Sequence, residues 1–477
     1  MPGVHTFYDG STILEPFSVI TGVEVDRINF VSCMFANLGC AYLYRKYCAA
    51  GKVSRFTRTI VPPMIGLSFI LFCFGRAAKH LLANSLVSYG IMCFAPPKLV
   101  HKLVFAFSMG YLLFIHSYRW AILNSYTLDI TGPIMVAVEK VIMMAFNLND
   151  GKMKDKKKLT EEQEKEAITE VPTLVEFVSY MFNFQTVLTG PVNNFSDYSK
   201  FLDGSHVSKN SNGNEPSPTF VALRKSAEAL VYLFIVATFG SWWKVEDVAG
   251  EEYTKLPYYR WFFWWFFTIA VVRCGYYFAW VFADAVCNMS GFGFSGYDKE
   301  GEAKWELCTN VRTVQVEMAQ SFKETLDGWN ILTGQWLRKV AYERAPKNVR
   351  TIATYVLSAV WHGVSFGYYF AFFTAALFTM SALTFRRSMR WRFLDDPSKK
   401  LAYDVFSFFI TKIALAYATF WFVTMKIHPA LGVYTRVYFI PHFVAAAVLF
   451  GLPKIFPPQK KVPQPVASEN VEQKKEL

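Results

Sequence analysis

His362 stands in "YVLSAVWHGVSFGYYFAFF", residues 355–373, an apolar run that contains no carboxylate and no lysine. An ionisable side chain at membrane depth is costly and is a functional candidate by default. Upstream, Asn330 lies in "SFKETLDGWNILTGQWLRKVAYER", residues 321–344. A neutral imidazole is well matched to taking a proton from an alcohol near pH 7, and burial favours the uncharged form of a base. A nearby carboxamide can orient the imidazole or the hydroxyl, or donate a hydrogen bond to a developing oxyanion. Such a pair suits acyl transfer from a thioester to an alcohol within the membrane, with no metal required. On residues alone, plainer readings stay open. A membrane histidine also serves helix packing or a pore, and an asparagine beside a tryptophan also serves as a cap or a satisfied polar contact. A proton relay would call for further intramembrane acids. The main ones are Glu139 and Asp284, each read as packed or paired at a helix end.

The elements that must position this pair can be outlined from spacing. Phe322, Leu326, Trp329, Leu332, Trp336 and Val340 recur at intervals of three and four, which predicts one apolar helical face with Asn330 at its edge. Asp327 and Gly328 are suited to start or bend that helix. Trp329, Trp336 and Trp361 are expected as wall or packing, because indole offers a donor but no useful base. Two basic segments, 337–350 and 386–400, flank the His362 run. If both are cytoplasmic, about 34 residues separate them, about 51 Å of helix, whereas two crossings need about 60 Å plus a turn. A re-entrant hairpin bent at Gly363 and Gly367 satisfies that arithmetic, and irregular backbone at such depth must be buried in protein or line a cavity. The alternative is one long tilted span, and His362 is deep in both. The cations Arg338, Lys339, Arg344, Lys347 and Arg350 form an ordinary cytoplasmic flank. Charge and proximity also make them candidates for the phosphates of coenzyme A.

Composition sets the wider frame. Of 477 residues, 53% are hydrophobic, 18% aromatic and 18% charged, against about 25% charged in a soluble domain. Apolar stretches at about 27–44, 59–75, 79–95, 100–117, 130–148, 221–243, 259–287, 351–384, 402–425 and 432–453 predict an all-α, polytopic integral membrane protein. One domain, 1–477, is expected, with a solvated polar amphipathic insert at 149–170, a polar loop at 196–218 and a basic cytosolic tail at 454–477. The net charge of +12 is spread in short clusters between apolar runs, which fits anionic headgroups and excludes nucleic acid as a partner. The eight cysteines lack CxxC or CxxxH spacing and read as free thiols, with no metal site. The N-terminus has no signal-peptide pattern, so the first membrane helix is expected to act as an internal signal. Six basic residues in 386–400 and more in the tail place the C-terminus in the cytosol. The terminal "KKEL" fits a dilysine signal for the endoplasmic reticulum. Sequons occur at Asn194 and Asn288.

"DGWNILTGQWLRKVAYER" followed by "LSAVWHG" resembles the paired signature of the membrane-bound O-acyltransferase (MBOAT) family. "SGFGFSGYDKEGEAKWELCTNVR", 290–312, and "FNFQTVLTGPVNNFSDY", 182–198, resemble its lysophospholipid acyltransferase branch, and the likeness runs from about residue 20 to 455. WHG alone is a weak signature; four stretches in order are a specific one. The resemblance places the family's invariant histidine on His362 and its second key polar residue on Asn330. It implies a many-helix fold enclosing a tunnel, which with the apolar segments gives an expectation of ten to eleven transmembrane helices plus re-entrant segments, with acyl-CoA arriving from the cytosol as a substrate and no cofactor. It implies a lysophospholipid acceptor from the bilayer, with an ethanolamine, serine or choline headgroup, and phospholipid remodelling in the endoplasmic reticulum. Gly328 and Gly334 lie where such relatives often carry bulkier residues, which alters tunnel shape. Other acceptors, such as a sterol, diacylglycerol or a peptide, and a polytopic transporter, are the alternatives.

Overall fold

A computed structural model describes residues 8–122, 128–153, 159–207, 216–425 and 427–458. Among them the chain is almost entirely helical, and its named strands are one short antiparallel pair, Gly296–Tyr297 with Ala303–Lys304. The expected apolar stretches become the helices Val25–Tyr47, Arg55–Phe74, Ala78–Phe94, Val100–Ile122, Thr131–Gly151, Thr219–Phe239, Tyr258–Met289, Phe366–Met389 and Pro397–Thr424. Six described stretches are long and apolar enough to cross a membrane, and seven if Ile427–Arg436 and Ile440–Ile455, bent by 70°, form one broken span. Two expected spans fall short of that standard for a visible reason. Thr219–Phe239 carries Arg224, Lys225 and Glu228, and Val25–Tyr47 is too weakly apolar because Asn29 and Asn37 interrupt it between its charged ends. The stretches at 59–75 and 79–95 join as one run of 40 residues, Arg55–Phe94, interrupted at Gly75. The exterior exposes Leu71, Phe114, Phe234, Phe409 and Phe443, a surface suited to acyl chains rather than water. The chain is a multi-pass membrane protein.

Thr131–Gly151 is enclosed on nearly every side, as expected of a helix apolar all round. Its few charged side chains need partners there. The Lys140 ammonium donates to the Tyr180 carbonyl at 2.9 Å and to Thr186 Oγ1 at 2.6 Å. Asp284, the acid expected to be paired, meets Lys225 at 2.6 Å and accepts from Thr309.

Two segments that read as solvated polar chain are docked instead. Phe195–Asp203, at the start of the expected loop, is a helix that buries Tyr198, Phe201 and Leu202, a three-residue spacing hidden by its serines and aspartates. It ends at Gly204 in the left-handed region, φ 79°. Positions 208–215 of that loop and 459–477 of the tail lie outside the described residues. In the polar insert, Glu161–Glu166 forms a short helix closed by a capping box between Thr160 and Gln163, with Gln163 and Glu166 buried.

The docked Phe195–Asp203 helix depends on Arg58. This buried guanidinium donates to the carbonyls of Leu202 at 2.7 Å, Phe201 at 2.6 Å and Cys48. Arg58→Leu leaves those carbonyls without a charged donor, so it is expected to lower stability by about 3 kcal/mol. Arg58→Lys should recover only part, because a point ammonium cannot reproduce the planar fork. Thermal unfolding in detergent checks this, and a wild-type midpoint for Arg58→Leu would remove Arg58 from that role.

Candidate active site

Ser321 caps the helix Phe322–Gly328 by accepting the Glu324 N–H. The chain then leaves helical geometry: Trp329 is extended, and Asn330 adopts φ 47°, ψ 53°, the left-handed region. Asparagine tolerates that region better than most residues. The helix resumes as Ile331–Leu337 and widens into a π-helical turn, Arg338–Tyr342. The single helix suggested by periodicity is therefore two helices, broken where Asp327 and Gly328 allowed a bend. The apolar face survives the break, with Phe322, Leu332, Trp336 and Val340 all buried. Around Gly334 there is open space within 4 Å of where a Cβ would stand.

Asn310 closes the break from outside. Its carbonyl accepts the Ile331 N–H at 2.8 Å and its Oδ1 accepts the Leu332 N–H at 3.0 Å, satisfying two donors that a helix start leaves open. A backbone N–H can only donate, which fixes the amide's orientation. Asn310 Nδ2 then donates to Asn330 Oδ1 at 2.9 Å. Asn330, half-buried, is thus held by its oxygen, and its Nδ2 has no protein partner among the described residues. Neighbouring Trp329 is packed edge-on against Tyr276, Tyr277 and Trp280. Thr333, one turn on, donates to the buried Glu139 carboxylate at 3.0 Å.

His362 ends the helix Arg350–His362, whose 13 residues reach only about 20 Å, short of the ~30 Å hydrocarbon core. Gly363 follows at φ 134°, ψ −165°, a conformation essentially restricted to glycine. Phe366–Met389 then runs back alongside, shown by the 2.7 Å bond between Tyr355 OH and Thr379 Oγ1 and by the Tyr355–Phe372 ring contact. Of the two geometries open to the sequence, the structure takes the hairpin. The bend is made at Gly363, whereas Gly367 lets two helices approach: a Cβ there would come within 2.5 Å of the Trp421 carbonyl.

The His362 ring is walled by aromatic rings, with centroids of Trp361 at 4.5 Å, Phe422 at 4.8 Å, Phe372 at 5.2 Å and Tyr368 at 5.6 Å. It makes no hydrogen bond to protein among the described residues and is only partly buried. Trp361 donates its indole N–H to the Met135 carbonyl at 3.2 Å, and its ring lies 6.2 Å from that of Trp336. The Asn330 and His362 segments therefore meet through these two indoles, and no hydrogen bond joins Asn330 to His362 directly. Two positions escaped the reading of residue types. Asn310 sits in the quoted "CTNVR" stretch but bears no chemistry of its own. His116, in Val100–Ile122, lies against the Trp361 backbone.

The structure also locates the basic cluster. The Lys339 ammonium is buried and meets Glu166 at 2.6 Å and Glu162 at 2.9 Å. Arg344 grips Asp150 with two bonds, 2.6 and 3.1 Å, over the Phe146 ring. Arg338, more exposed, pairs with Glu343 at 2.7 Å. Burial pushes the Glu166 carboxyl up, and Lys339 pulls it back. The polar insert is thus bound to the π-helical turn by ion pairs. Beside that turn a cavity of 330 Å³ is lined by Lys102, Phe105, Phe146, Val340, Ala341 and Leu357.

Lys339→Met removes the ammonium shared by two carboxylates, leaving Glu166 with Asn194 alone and Glu162 with the more distant Arg338, and should loosen the insert. Hydrogen exchange of peptides covering 159–168 is expected to accelerate at least about tenfold, the equivalent of ~1.4 kcal/mol of local stability. Lys339→Arg should stay near wild type, and unchanged protection in Lys339→Met would show that the insert is held by other contacts.

The chain matches the model of MBOAT, the membrane-bound O-acyltransferase family, over residues 115–420. It is 35% identical over 471 residues to "Membrane-bound glycerophospholipid O-acyltransferase 1" of Mus musculus, covering 96% of each chain. To "Membrane-bound glycerophospholipid O-acyltransferase 2" of Rattus norvegicus it is 37% identical, over 95% of this chain and 89% of that one. "Lysophospholipid acyltransferase 6" of Drosophila melanogaster is 35% identical over 95% of this chain, which spans 65% of that relative's length. By the matched span and by the likeness to the mouse and rat relatives, 96% and 89% of whose lengths are covered, the chain belongs to the membrane-bound O-acyltransferase family.

Proposed function

We propose that the protein transfers an acyl chain from acyl-CoA to the free sn-2 hydroxyl of a lysoglycerophospholipid. The observation that carries this reading is the state of His362. Its imidazole is held among rings at the turn of the hairpin and has no protein hydrogen bond among the described residues, so its lone pair is available to a substrate hydroxyl. In the proposed step His362 takes the hydroxyl proton as the oxygen attacks the thioester carbonyl. The C–S bond then breaks, the ester is released, and coenzyme A departs with the proton as free thiol. Asn330 offers Nδ2, since its oxygen is occupied by Asn310, and this donor would orient the acceptor hydroxyl or stabilise the oxyanion. Trp329 and Trp361 line the substrate path in this reading. Arg338 is the most accessible of the three named cations and would make the first contact with the coenzyme A phosphates, with Lys339 and Arg344 behind it.

A lipid acceptor is supported by the names of the relatives, which are glycerophospholipid and lysophospholipid acyltransferases. We extend that to ethanolamine, serine or choline headgroups, and place the reaction in the endoplasmic reticulum with the C-terminus in the cytosol. A transporter reading has less to stand on, because Asp284 is held by Lys225 and Glu139 by Thr333, and among the described residues no hydrogen bond links either to His362.

His362→Ala is expected to reduce turnover by about 10³-fold in membranes with matched expression, and Asn330→Ala by about 10²-fold. Release of coenzyme A thiol in the presence of each lysophospholipid headgroup measures both rate and acceptor. Undiminished activity in His362→Ala would refute the assignment, and turnover only with a sterol, diacylglycerol or peptide would move the acceptor class.

A further inference from the structure

We propose that His116 is a positioning residue for His362, acting on the backbone on both sides of it; the inference rests on the reading of His362 as the base. His116 lies in the apolar helix Val100–Ile122 and is 6% exposed. Its Nε2 is 3.2 Å from the Trp361 carbonyl oxygen. A carbonyl only accepts, so Nε2 carries the hydrogen, and the neutral ring keeps its lone pair on Nδ1.

The partner carbonyl is one that its own helix cannot satisfy. An uninterrupted helix would give Trp361 the N–H of residue 365, but the helix stops at His362, and the last carbonyls of any helix need outside donors. In an apolar surrounding no water replaces the missing donor. His116 supplies it from another helix.

The second contact falls on the other side of His362. A Cβ built on Gly363 would stand 3.2 Å from both Cγ and Nδ1 of His116. The His116 ring therefore rests directly against the Gly363 backbone, which is held at φ 134°. One side chain thus touches the residue before His362 by a hydrogen bond and the residue after it by packing. Four rings set the tilt of the His362 imidazole, but its Cα is placed by this bracket. A donor at Nε2 is the chemical requirement; an aromatic plane alone would fill the space without holding the carbonyl.

The test compares His116→Phe, which keeps a ring but no donor, with His116→Gln, whose amide can present an N–H near the Nε2 position. Full-length protein in membranes of matched expression is assayed for kcat and for KM toward both donor and acceptor. A shift of about 1 Å in a reacting group costs about 10²-fold, so His116→Phe is expected to lose about that in kcat. KM for both substrates should stay within about twofold, and His116→Gln should recover most of the loss. Thermal midpoints of the two variants should agree. Phe at wild-type kcat, or Gln as impaired as Phe, would overturn the proposal. If His116→Phe does not accumulate, His116→Leu against His116→Gln makes the same comparison.

A second readout does not depend on turnover. The rate of carbethoxylation of His362 by diethyl pyrocarbonate, followed by mass spectrometry, should change severalfold in His116→Phe and return in His116→Gln. If wild type and His362→Ala turn over alike, the proposed function fails, and this rate still decides the positioning claim. An unchanged rate in His116→Phe sinks it.

Discussion

The helix Thr131–Gly151 is the member from which the rest of the site hangs. It is buried on nearly every side, so each polar group on it must find a partner inside the protein. Those partners belong to every segment that matters. Met135 offers its carbonyl to the Trp361 indole, Glu139 accepts from Thr333, Lys140 donates to the Tyr180 carbonyl, and Asp150 holds Arg344. Asn147 adds its carbonyl for the Ile168 N–H of the insert and its amide for Asn194. The spacing of these groups along one rigid helix fixes the relative heights of the Asn330 helix, the His362 helix and the π-helical turn. Bonds of this kind are individually modest, about 1 kcal/mol each when neutral and more when charged. Leaving any one partner unpaired in that interior costs more than the bond contributes, so the set is held together by the penalty of breaking it.

Both candidate residues sit at helix interruptions, and the interruptions have a common physical logic. An intact helix consumes its own backbone groups and leaves nothing for a substrate or an outside side chain. Breaking it frees donors at a start, as at Asn330, and acceptors at an end, as at His362. Such breaks are tolerated in a membrane only where protein surrounds them. Asn310 takes up the freed N–H groups of Ile331 and Leu332, and the carbonyl freed at Trp361 faces His116. The polar residues that make the breaks stable also hold the two side chains in place, so structural cost and site geometry are the same problem.

Much of this was legible in the sequence, and what was not follows from how far each signal reaches. A histidine in an apolar run announces itself because charge and depth conflict within one short window, whereas segment length against membrane thickness leaves both a hairpin and one long tilted span open, and only the bend at Gly363 decides between them. The break at Trp329 and Asn330 was hidden because the apolar spacing from Phe322 to Val340 continues through it, and periodicity reports which face is apolar rather than whether the backbone is continuous. Asp327 and Gly328 were the only local sign. The insert reads as solvated because a charge-balanced run looks the same whether its carboxylates face water or a distant cation. The partner of Glu166 is Lys339, far along the chain, and no local pattern joins them. Phe195–Asp203 was lost to its polar composition. Asn310 is the plainest case, since its importance lies in which backbone and which side chain it meets.

His362 differs from the histidines of soluble triads in that, among the described residues, no carboxylate is bonded to it. Edge and stacked ring contacts contribute about 0.5–1.5 kcal/mol each beyond the area they bury, against about 1 kcal/mol for one neutral hydrogen bond. Four rings surround this imidazole, so packing outweighs what a single hydrogen-bonded partner would supply. It also differs in kind. A carboxylate bonded to one ring nitrogen would bring a second charge into the apolar interior and require its own desolvation. Rings orient the imidazole while leaving both nitrogens without a hydrogen bond among the described residues. In a chain that carries 18% aromatic residues, orientation by packing is the solution that the membrane interior permits at least cost, and in the proposed reaction it leaves the imidazole free to meet the acceptor hydroxyl.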